Sequence, residues 1–344
     1  MENDNYVPKH KFDYETVERI RDTDPEIIKP VLPYIFEWLE DITMGITQTG
    51  EKRLLAKYRI INLTWKKICI LISIILIIIL FFTAFYSGLV VKKYNIVSNK
   101  LGEHESVRVA LITDLHSHVY GDKQTRIVSI IKQQDPDIIA LAGDIADDVE
   151  PIEGTKLFLE GLKGFRPIYY VTGNHEFWSN DITNIKDTIR KYGVNILENK
   201  YEQIKVKNSN IIIAGIDDPD VAIYEKPNFN LLREMNNNFI QLEDNTAFKI
   251  LLAHRPELIE EYKKFSFDLV LSGHSHGGQV RIPFILNGLY APNQGWFPKY
   301  AGGMYKHESL RHIVSRGVSF NPRLPRIFNP PEVVIINIKG SGAK

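Results

Sequence analysis

Five short apolar runs downstream of residue 106 each end in polar side chains of the kinds that bind metal ions. Segments with helical spacing of apolar residues separate the earlier runs, so strands and helices alternate along this part of the chain. Such alternation is typical of α/β proteins, in which helices cover the faces of a sheet. The polar residues that close the five runs are Asp114 with His116, Asp144, Asn174 with His175, His254, and His274 with His276.

The same pattern predicts the individual elements of a β-sandwich flanked by helices. Later runs are typical of a hairpin and of further strands, which supply the second sheet. The predicted strands cover residues 107–113, 138–142, 168–172, 203–207, 211–215, 250–253, 269–272 and 333–338, and the predicted helices cover 123–134, 155–162 and 181–192.

The five polar segments are expected to converge on one site. Ligand sites in α/β sheets form where the carboxyl ends of the strands pass into loops. Each segment alone is weak evidence, because a lone histidine such as His254 is more often an ordinary loop residue than a metal ligand. Five segments that end in the same way indicate a metal centre.

The residue types favour a pair of divalent cations acting on a phosphate ester. Carboxylates, imidazoles and an amide oxygen bind such cations and keep the net charge low enough to admit an anionic substrate. Two cations about 4 Å apart clamp a phosphate, polarise it and turn water into hydroxide near neutral pH. Glycines in GD, GNHE and GHSHGG permit tight turns and close backbone approach. The only cysteine, Cys69, lies outside this region and excludes both a thiolate site and an intrachain disulfide.

In their order, the motifs resemble those of the calcineurin-like metallophosphoesterase superfamily. DLH at 114–116, GDIAD at 143–147, GNHE at 173–176, His254 and GHSH at 273–276 reproduce its pattern. The resemblance covers residues 107–344 and implies a metal-dependent phosphoric ester hydrolase. Four further segments are similar to the membrane-associated bacterial branch: GHSHGGQ at 273–279, APNQGWFPKY at 291–300, SRG at 315–317 and PPEV at 330–333.

The resemblance also implies a role for each site residue. Asp144 would bridge the metals, His175 would protonate the leaving oxygen after attack by metal-bound hydroxide, and Asp147 would support the site without being a ligand. The metals would be Mn²⁺ first, with Fe or Zn²⁺ as alternatives. The first metal would be held by Asp114, His116, Asp144 and His276, and the second by Asp144, Asn174, His254 and His274.

Two further features near the C-terminus leave alternatives open. Arg316 in SRG either contacts substrate phosphate or is a solvated surface charge. The aromatic residues Trp296, Phe297 and Tyr300 line a pocket, face a membrane, or pack in the core, and core packing is favoured for at least two of them.

A long uncharged stretch predicts one transmembrane helix. Residues 68–91 contain no charged side chain, and a helix of that length reaches roughly 36 Å. Trp65 to Lys67 and Lys92 to Tyr94 would anchor its ends. The predicted layout is a helical segment at 1–67, the span at 68–91, a linker at 92–106 and the catalytic domain at 107–344.

Basic residues around the stretch predict its orientation in a cell membrane. Six lysines or arginines fall in the 20 residues before it and four in the 20 after it. By the positive-inside rule this bias places the N-terminus in the cytoplasm and the catalytic domain outside. The catalytic domain would then act on a phosphoester substrate at the membrane surface. In one version of the hypothesis this substrate is lipid-linked.

Charge and motif details rank the remaining functions. Lysine and arginine equal aspartate and glutamate, 42 against 42, so nucleic acid is not indicated as a partner. One alternative is a Ser/Thr protein phosphatase, disfavoured because GDIADD lacks the arginine that follows this motif in those enzymes. The other is a non-catalytic metal-binding scaffold at the membrane, a class expected to have lost ligands that this sequence keeps.

Overall fold

A computed structural model of the chain describes residues 65–320 and 325–342, together with the isolated helical positions 33 and 37. Other positions of the predicted segment 1–67 before Trp65 lie outside these residues. The chain divides into two units after Ile77, and the unit from Ile78 onward contains the sheets. Helix α1, Trp65–Ala84, begins in the first unit and ends in the second.

The strands are numbered in chain order. They are β1 Val90–Ser98, β2 Ser106–Ile112, β3 Ile138–Ala142, β4 Ile168–Val171, β5 Asn195–Ile196, β6 Lys200–Val206, β7 Ser209–Gly215, β8 Phe248–Leu252, β9 Leu269–Ser272, β10 Tyr290–Ala291, β11 Gly295–Trp296, β12 Gly303–His307, β13 Leu310–Val314 and β14 Glu332–Gly340. The helices after α1 are α2 Thr125–Gln133, α3 Glu153–Leu162, α4 Asn174–Trp178, α5 Ile182–Lys191, α6 Val221–Tyr224, α7 Leu231–Phe239 and α8 Ile259–Tyr262.

Two six-stranded sheets form the body of this unit. The first has the order β1-β14-β2-β3-β4-β5, with β2 to β5 parallel and β14 antiparallel to β2. The second has the order β12-β13-β9-β8-β7-β6, with β13, β9, β8 and β7 parallel and a hairpin strand at each edge. Strands β10 and β11 form a separate small hairpin.

Most buried apolar residues belong to three layers, beside a small cluster of Phe177, Ile182 and Val221. Side chains such as Leu111 and Ile250 fill the space between the two sheets. The outer face of the first sheet packs against α2, α3 and α5, with Phe158 fully buried there. On the second sheet, α7 and α8 cover the outer face, with Tyr262 among their buried residues. The helix–sheet–sheet–helix arrangement confirms the predicted sandwich, and the strands predicted at 138–142 and 269–272 have those same bounds.

Residues 85–98 differ from the prediction. Helix α1 ends at Ala84, so a single helix from 68 to 91 is wrong beyond that residue. Strand β1 occupies much of the predicted linker and pairs in parallel with β14, from Val90 opposite Glu332 to Ser98 opposite Gly340. Gly88 is unfavourable inside a helix, and the backbone of the strand that follows pairs with β14 instead. Within the described residues, no helix combines the length and apolar character needed to cross a membrane.

The layer between the sheets supplies a stability prediction. Ile250 in β8 is fully buried there, whereas Ile223 in α6 is 73% exposed. Ile250→Ala should lower the free energy of unfolding by about 2–5 kcal/mol, because it leaves a cavity between the sheets. The matched control Ile223→Ala should stay within about 0.5 kcal/mol of the wild type. Urea unfolding followed by near-UV circular dichroism measures both, and equal midpoints would show that the layer is not the core.

Candidate metal centre

The loops that follow β2, β3, β4, β8 and β9 meet at one edge of the sandwich. Backbone hydrogen bonds extend the strand pairing into these loops: Asp114 N donates to Gly143 O at 3.0 Å and His116 N donates to Asp144 O at 3.0 Å. The amide of His274 donates to Asp114 Oδ1 at 2.9 Å. Main-chain donors therefore join three of the predicted segments, those of Asp114, Asp144 and His274.

Three groups of potential ligands lie close together in the described residues, and two of them consist of predicted ligands and could hold one cation each; the third is His116 with Asp147 and His175. His254 Nε2 lies 3.0 Å from Asp144 Oδ2, and His116 Nε2 lies 3.8 Å from the same oxygen. His254 belongs to one group and His116 to the other, so Asp144 lies between them. The first group is Asp114, His116 and His276, and the second is Asp144, His254 and His274.

Buried side-chain nitrogens and oxygens without a hydrogen-bond partner show that the residues fit a pair of cations. Such atoms are rare in folded proteins unless a ligand satisfies them. The four here are nitrogens and oxygens of the kinds that bind borderline divalent metals. They are Asp114 Oδ2, His116 Nε2, Asn174 Oδ1 and His254 Nε2, the last of which lies close to Asp144 Oδ2 without hydrogen-bond geometry.

Three of the imidazoles are held through one nitrogen by an oxygen acceptor. His116 Nδ1 lies 2.8 Å from Asp147 Oδ1, His254 Nδ1 lies 2.8 Å from Ala142 O, and His274 Nε2 lies 2.8 Å from Asn293 Oδ1. When the ring is neutral, an acceptor at one nitrogen fixes the proton there and leaves the other nitrogen with a lone pair. Metal-binding histidines are oriented in this way.

The turns that carry the predicted ligands have positive φ angles, a backbone conformation that residues other than glycine rarely adopt. Asp114, Asp144 and His274 have φ values of 53°, 53° and 67°. Left-handed conformations at non-glycine residues are unfavourable and cluster at functional sites. The backbone of Gly173 packs directly against the Asp144 carboxylate, since a Cβ atom at Gly173 would lie 2.2 Å from Asp144 Oδ1. The glycine of GNHE is thus required by contact with the carboxylate.

Comparison with known proteins agrees with this geometry. Residues 107–278 match the calcineurin-like phosphoesterase family, and residues 6–68 match a family described as a domain of unknown function. An uncharacterized metallophosphoesterase of Aquifex aeolicus is 30% identical over 257 residues, covering 73% of this chain and 92% of that protein.

The chain belongs to the calcineurin-like phosphoesterase family. It is a metal-dependent hydrolase of phosphate esters. A Danio rerio relative named as a transmembrane protein with metallophosphoesterase domain is 28% identical, covering 68% of this chain and 53% of that protein. The solved structure of Haemophilus influenzae NAD nucleotidase aligns with a TM-score of 0.46 and 14% identity, over 63% of this chain and 46% of that one.

Electrostatics of the phosphoesterase site keep two of its histidines neutral. Burial, with the neighbouring His254, holds the pKa of His274 well below its usual value. Burial and the adjacent His116 do the same for His276. Neutral imidazoles are the form that binds metal. Burial opposes ionisation of Asp144, but His254 outweighs it and holds the pKa of that carboxyl well below its usual range.

His175 lies beside these groups, at the start of α4. Its ring Nδ1 is 2.6 Å from Asp148 Oδ1 and 3.2 Å from Asp147 Oδ1, and its ring meets that of His116 edge-on at 4.3 Å. Burial disfavours the charged ring, but hydrogen bonds to Asp147 and Asp148 with the Asp144 carboxylate raise the pKa of His175 to about 9. Asp147 thus contacts two site imidazoles, as a supporting residue would.

Glu176 is a site residue that the sequence reading did not single out. Its carboxylate is fully buried and accepts four backbone N–H groups: those of Asp144, Ile145, Ala146 and Gly173, at 2.6–3.0 Å. These bonds join the GDIAD turn to the GNHE turn. The last letter of GNHE was the available signal.

Arg255 and Asn293 were also missed. Asn293 Oδ1 accepts from His274 Nε2 at 2.8 Å and from Arg255 Nη1 at 2.6 Å. Asp218 holds the Arg255 guanidinium with contacts of 2.6 and 3.0 Å. Arg255 follows His254 directly, but its partners are remote in sequence, so no local pattern connects them.

Arg316 lies outside both ligand groups. Its Nε donates to Glu332 Oε2 at 2.7 Å, and its backbone N donates to Glu332 Oε1 at 3.1 Å. Glu332 is buried at the start of β14. The ion pair neutralises the guanidinium, and a contact between Arg316 and substrate phosphate stays a prediction.

The role of Glu176 can be tested through metal binding. Glu176→Gln puts an amide N–H₂ group against backbone donors and breaks the link between the two turns. Metal affinity should fall by about 10- to 100-fold, as it does when outer residues of metal sites are changed. Calorimetric titration with Mn²⁺ measures this, and Glu153→Gln, at an exposed carboxylate in α3, is the control. An affinity equal to that of the wild type would limit Glu176 to folding.

Proposed function

We propose that this phosphoesterase hydrolyses phosphate mono- or diesters at a dinuclear metal centre. The position of Asp144 carries the proposal, because its Oδ2 faces one imidazole of each ligand group. Such a carboxylate suits a bridge between two cations. When bound, the cations would polarise the phosphate and lower the pKa of water at the site.

The donor set defines which metals suit the centre. Nitrogen and oxygen donors without thiolate favour Mn²⁺, with Fe and Zn²⁺ as alternatives. Asn174 contributes a neutral amide oxygen, which leaves room for the charge of a phosphate. The proposed ligands are Asp114, His116, Asp144 and His276 for the first cation, and Asp144, Asn174, His254 and His274 for the second.

His175 is the proposed general acid. Its Nδ1 is engaged by Asp148, and its backbone N donates to Asp144 Oδ1 at 3.0 Å. These contacts fix the ring beside the centre, while the side chain stays 24% exposed and can reach a substrate. The second ring nitrogen would hand a proton to the departing ester oxygen, which needs it in proportion to its basicity.

Leaving-group dependence tests that role. His175→Ala should lower kcat for alkyl phosphate esters by about 10²- to 10⁴-fold and far less for p-nitrophenyl esters, since a nitrophenolate leaves without a proton. Metal content should be unchanged. His104→Ala, at an exposed histidine after β1, is the control. Equal losses for both ester types, or loss of metal, would show that His175 holds the site together.

Membrane attachment through the uncharged stretch 68–91 is the second part of the proposal. Described side chains from Ile70 to Phe82 are apolar, apart from Ser73, and 46–71% exposed where large. The Danio rerio relative carries a transmembrane name. With attachment at this stretch, phosphate esters of lipids or of the cell envelope are the proposed substrates.

The proposed topology places the catalytic domain outside the cytoplasm, following the six-to-four basic bias. Protease added to intact bacterial protoplasts that produce the full chain should then remove the domain, detected by an antibody to its C-terminus. A cytoplasmic marker protein should survive as the control. Protection of the domain until the cells are lysed would reverse the topology.

A further inference from the structure

Two neighbouring loops beside the metal centre end in large exposed apolar side chains. Phe284 and Ile285 are 109% and 82% exposed, and Trp296 and Phe297 are each 67% exposed. We call these four residues the apolar tips. Core packing was favoured for at least two of Trp296, Phe297 and Tyr300, but only Tyr300 is buried among the three. Exposed apolar side chains that occur in such clusters mark interaction surfaces.

The two loops are joined to each other. Phe297 N donates to Leu289 O at 2.8 Å, which links the β10–β11 hairpin to the end of the first loop. Within that loop, Ile282 pairs with Leu286 across the tip. Trp296 also stacks edge-on against Tyr290 at 5.5 Å. The apolar tips therefore belong to one connected surface.

Both loops are fixed to the metal centre. The first begins directly after the turn His276–Gly278, whose first residue is a proposed ligand. The second contains Asn293, which accepts from His274 Nε2. The loops that carry the apolar tips are therefore connected to the proposed ligands His276 and His274.

The surface continues to the end of α1. A cavity of about 510 Å³ is lined almost wholly by apolar groups. Pro283, next to Phe284, forms one wall, and the C-terminal turn of α1 forms another. Phe328 N donates to Ala84 O at 2.7 Å and holds the helix end there. The lining residues are Phe82, Thr83, Tyr86, Pro283, Phe328 and Pro330.

The chemistry of the surface favours a lipid bilayer as its partner. Consecutive residues at the end of α1, from Ile78 to Phe82, are all 48–71% exposed, so this end of the helix is apolar on every side. A protein partner covers one face of a helix, whereas lipid surrounds it. Trp296 and Tyr290 are residue types of the membrane interface, and Lys299, two residues after Phe297, supplies a cation for lipid phosphate.

We propose that the apolar tips insert into the headgroup region of a bilayer and hold the metal centre at the lipid surface. This docking adds loops of the catalytic domain to the attachment proposed for residues 68–91, whose C-terminal part borders the same surface. It explains why large apolar side chains of both loops face solvent. It also favours esters whose phosphate lies in a lipid headgroup, a consequence that rests on the proposed hydrolysis.

Depth-dependent fluorescence quenching tests the insertion. The full chain with Cys69→Ser is reconstituted in vesicles of phosphatidylcholine and phosphatidylglycerol, with Phe284→Cys or Trp296→Cys carrying an environment-sensitive label. The control is Val97→Cys. Val97 is 65% exposed and lies near the C-terminal end of β1, far along the strand from Val90. Circular dichroism verifies that each variant is folded.

Lipids brominated on their acyl chains should quench the labels at positions 284 and 296 at least twofold and leave the label at 97 unquenched. Adding Ile285→Asp should weaken the quenching at 284, because it places a charge in the inserted loop. The proposal is overturned if the labels at positions 284 and 296 are quenched no more than the label at 97, or if the same cysteine variants, left unlabelled, form disulfide crosslinks between copies in place of lipid contact. None of these readouts involves hydrolysis, so the result is independent of the proposed activity.

Discussion

The buried carboxylate of Asp144 makes the rest of the site necessary. It is 1% exposed and lies close to two further carboxylates that are fully buried, Asp114 and Glu176. Carboxylates removed from water must be balanced by hydrogen bonds and opposite charge. Backbone N–H groups surround Glu176, and imidazoles surround the other two. Two divalent cations would supply the remaining positive charge, which is why unbonded donor atoms face this region.

The residues around the ligands orient the imidazoles. Asp147, Asn293 and a backbone carbonyl each accept from one imidazole nitrogen, which leaves the other nitrogen for metal. Arg255 and Asp218 in turn hold Asn293. These hydrogen bonds orient the imidazoles toward the proposed cations.

Sequence reasoning located the ligand loops because short apolar runs and the polar residues after them are local features. Strands β3 and β9 follow directly from their buried patterns. Strand β1 was missed, since Lys92 and Lys93 interrupt its apolar character and its partner lies at the other end of the chain. Asn293 and Asp218 were missed for a related reason: their contacts with the site depend on tertiary packing. The exposure of Trp296 and Phe297 likewise depends on a hairpin whose direction the sequence does not encode locally.

Metal stoichiometry tests the central claim, that Asp144 joins two cation sites. Elemental analysis of the active wild-type protein should find two equivalents per chain, and Asp144→Asn should reduce both together, while Asp135→Asn, at an exposed carboxylate, should retain both. A fully active wild type with one tightly bound equivalent and no requirement for a second would contradict the account. So would an Asp144→Asn variant that loses only one.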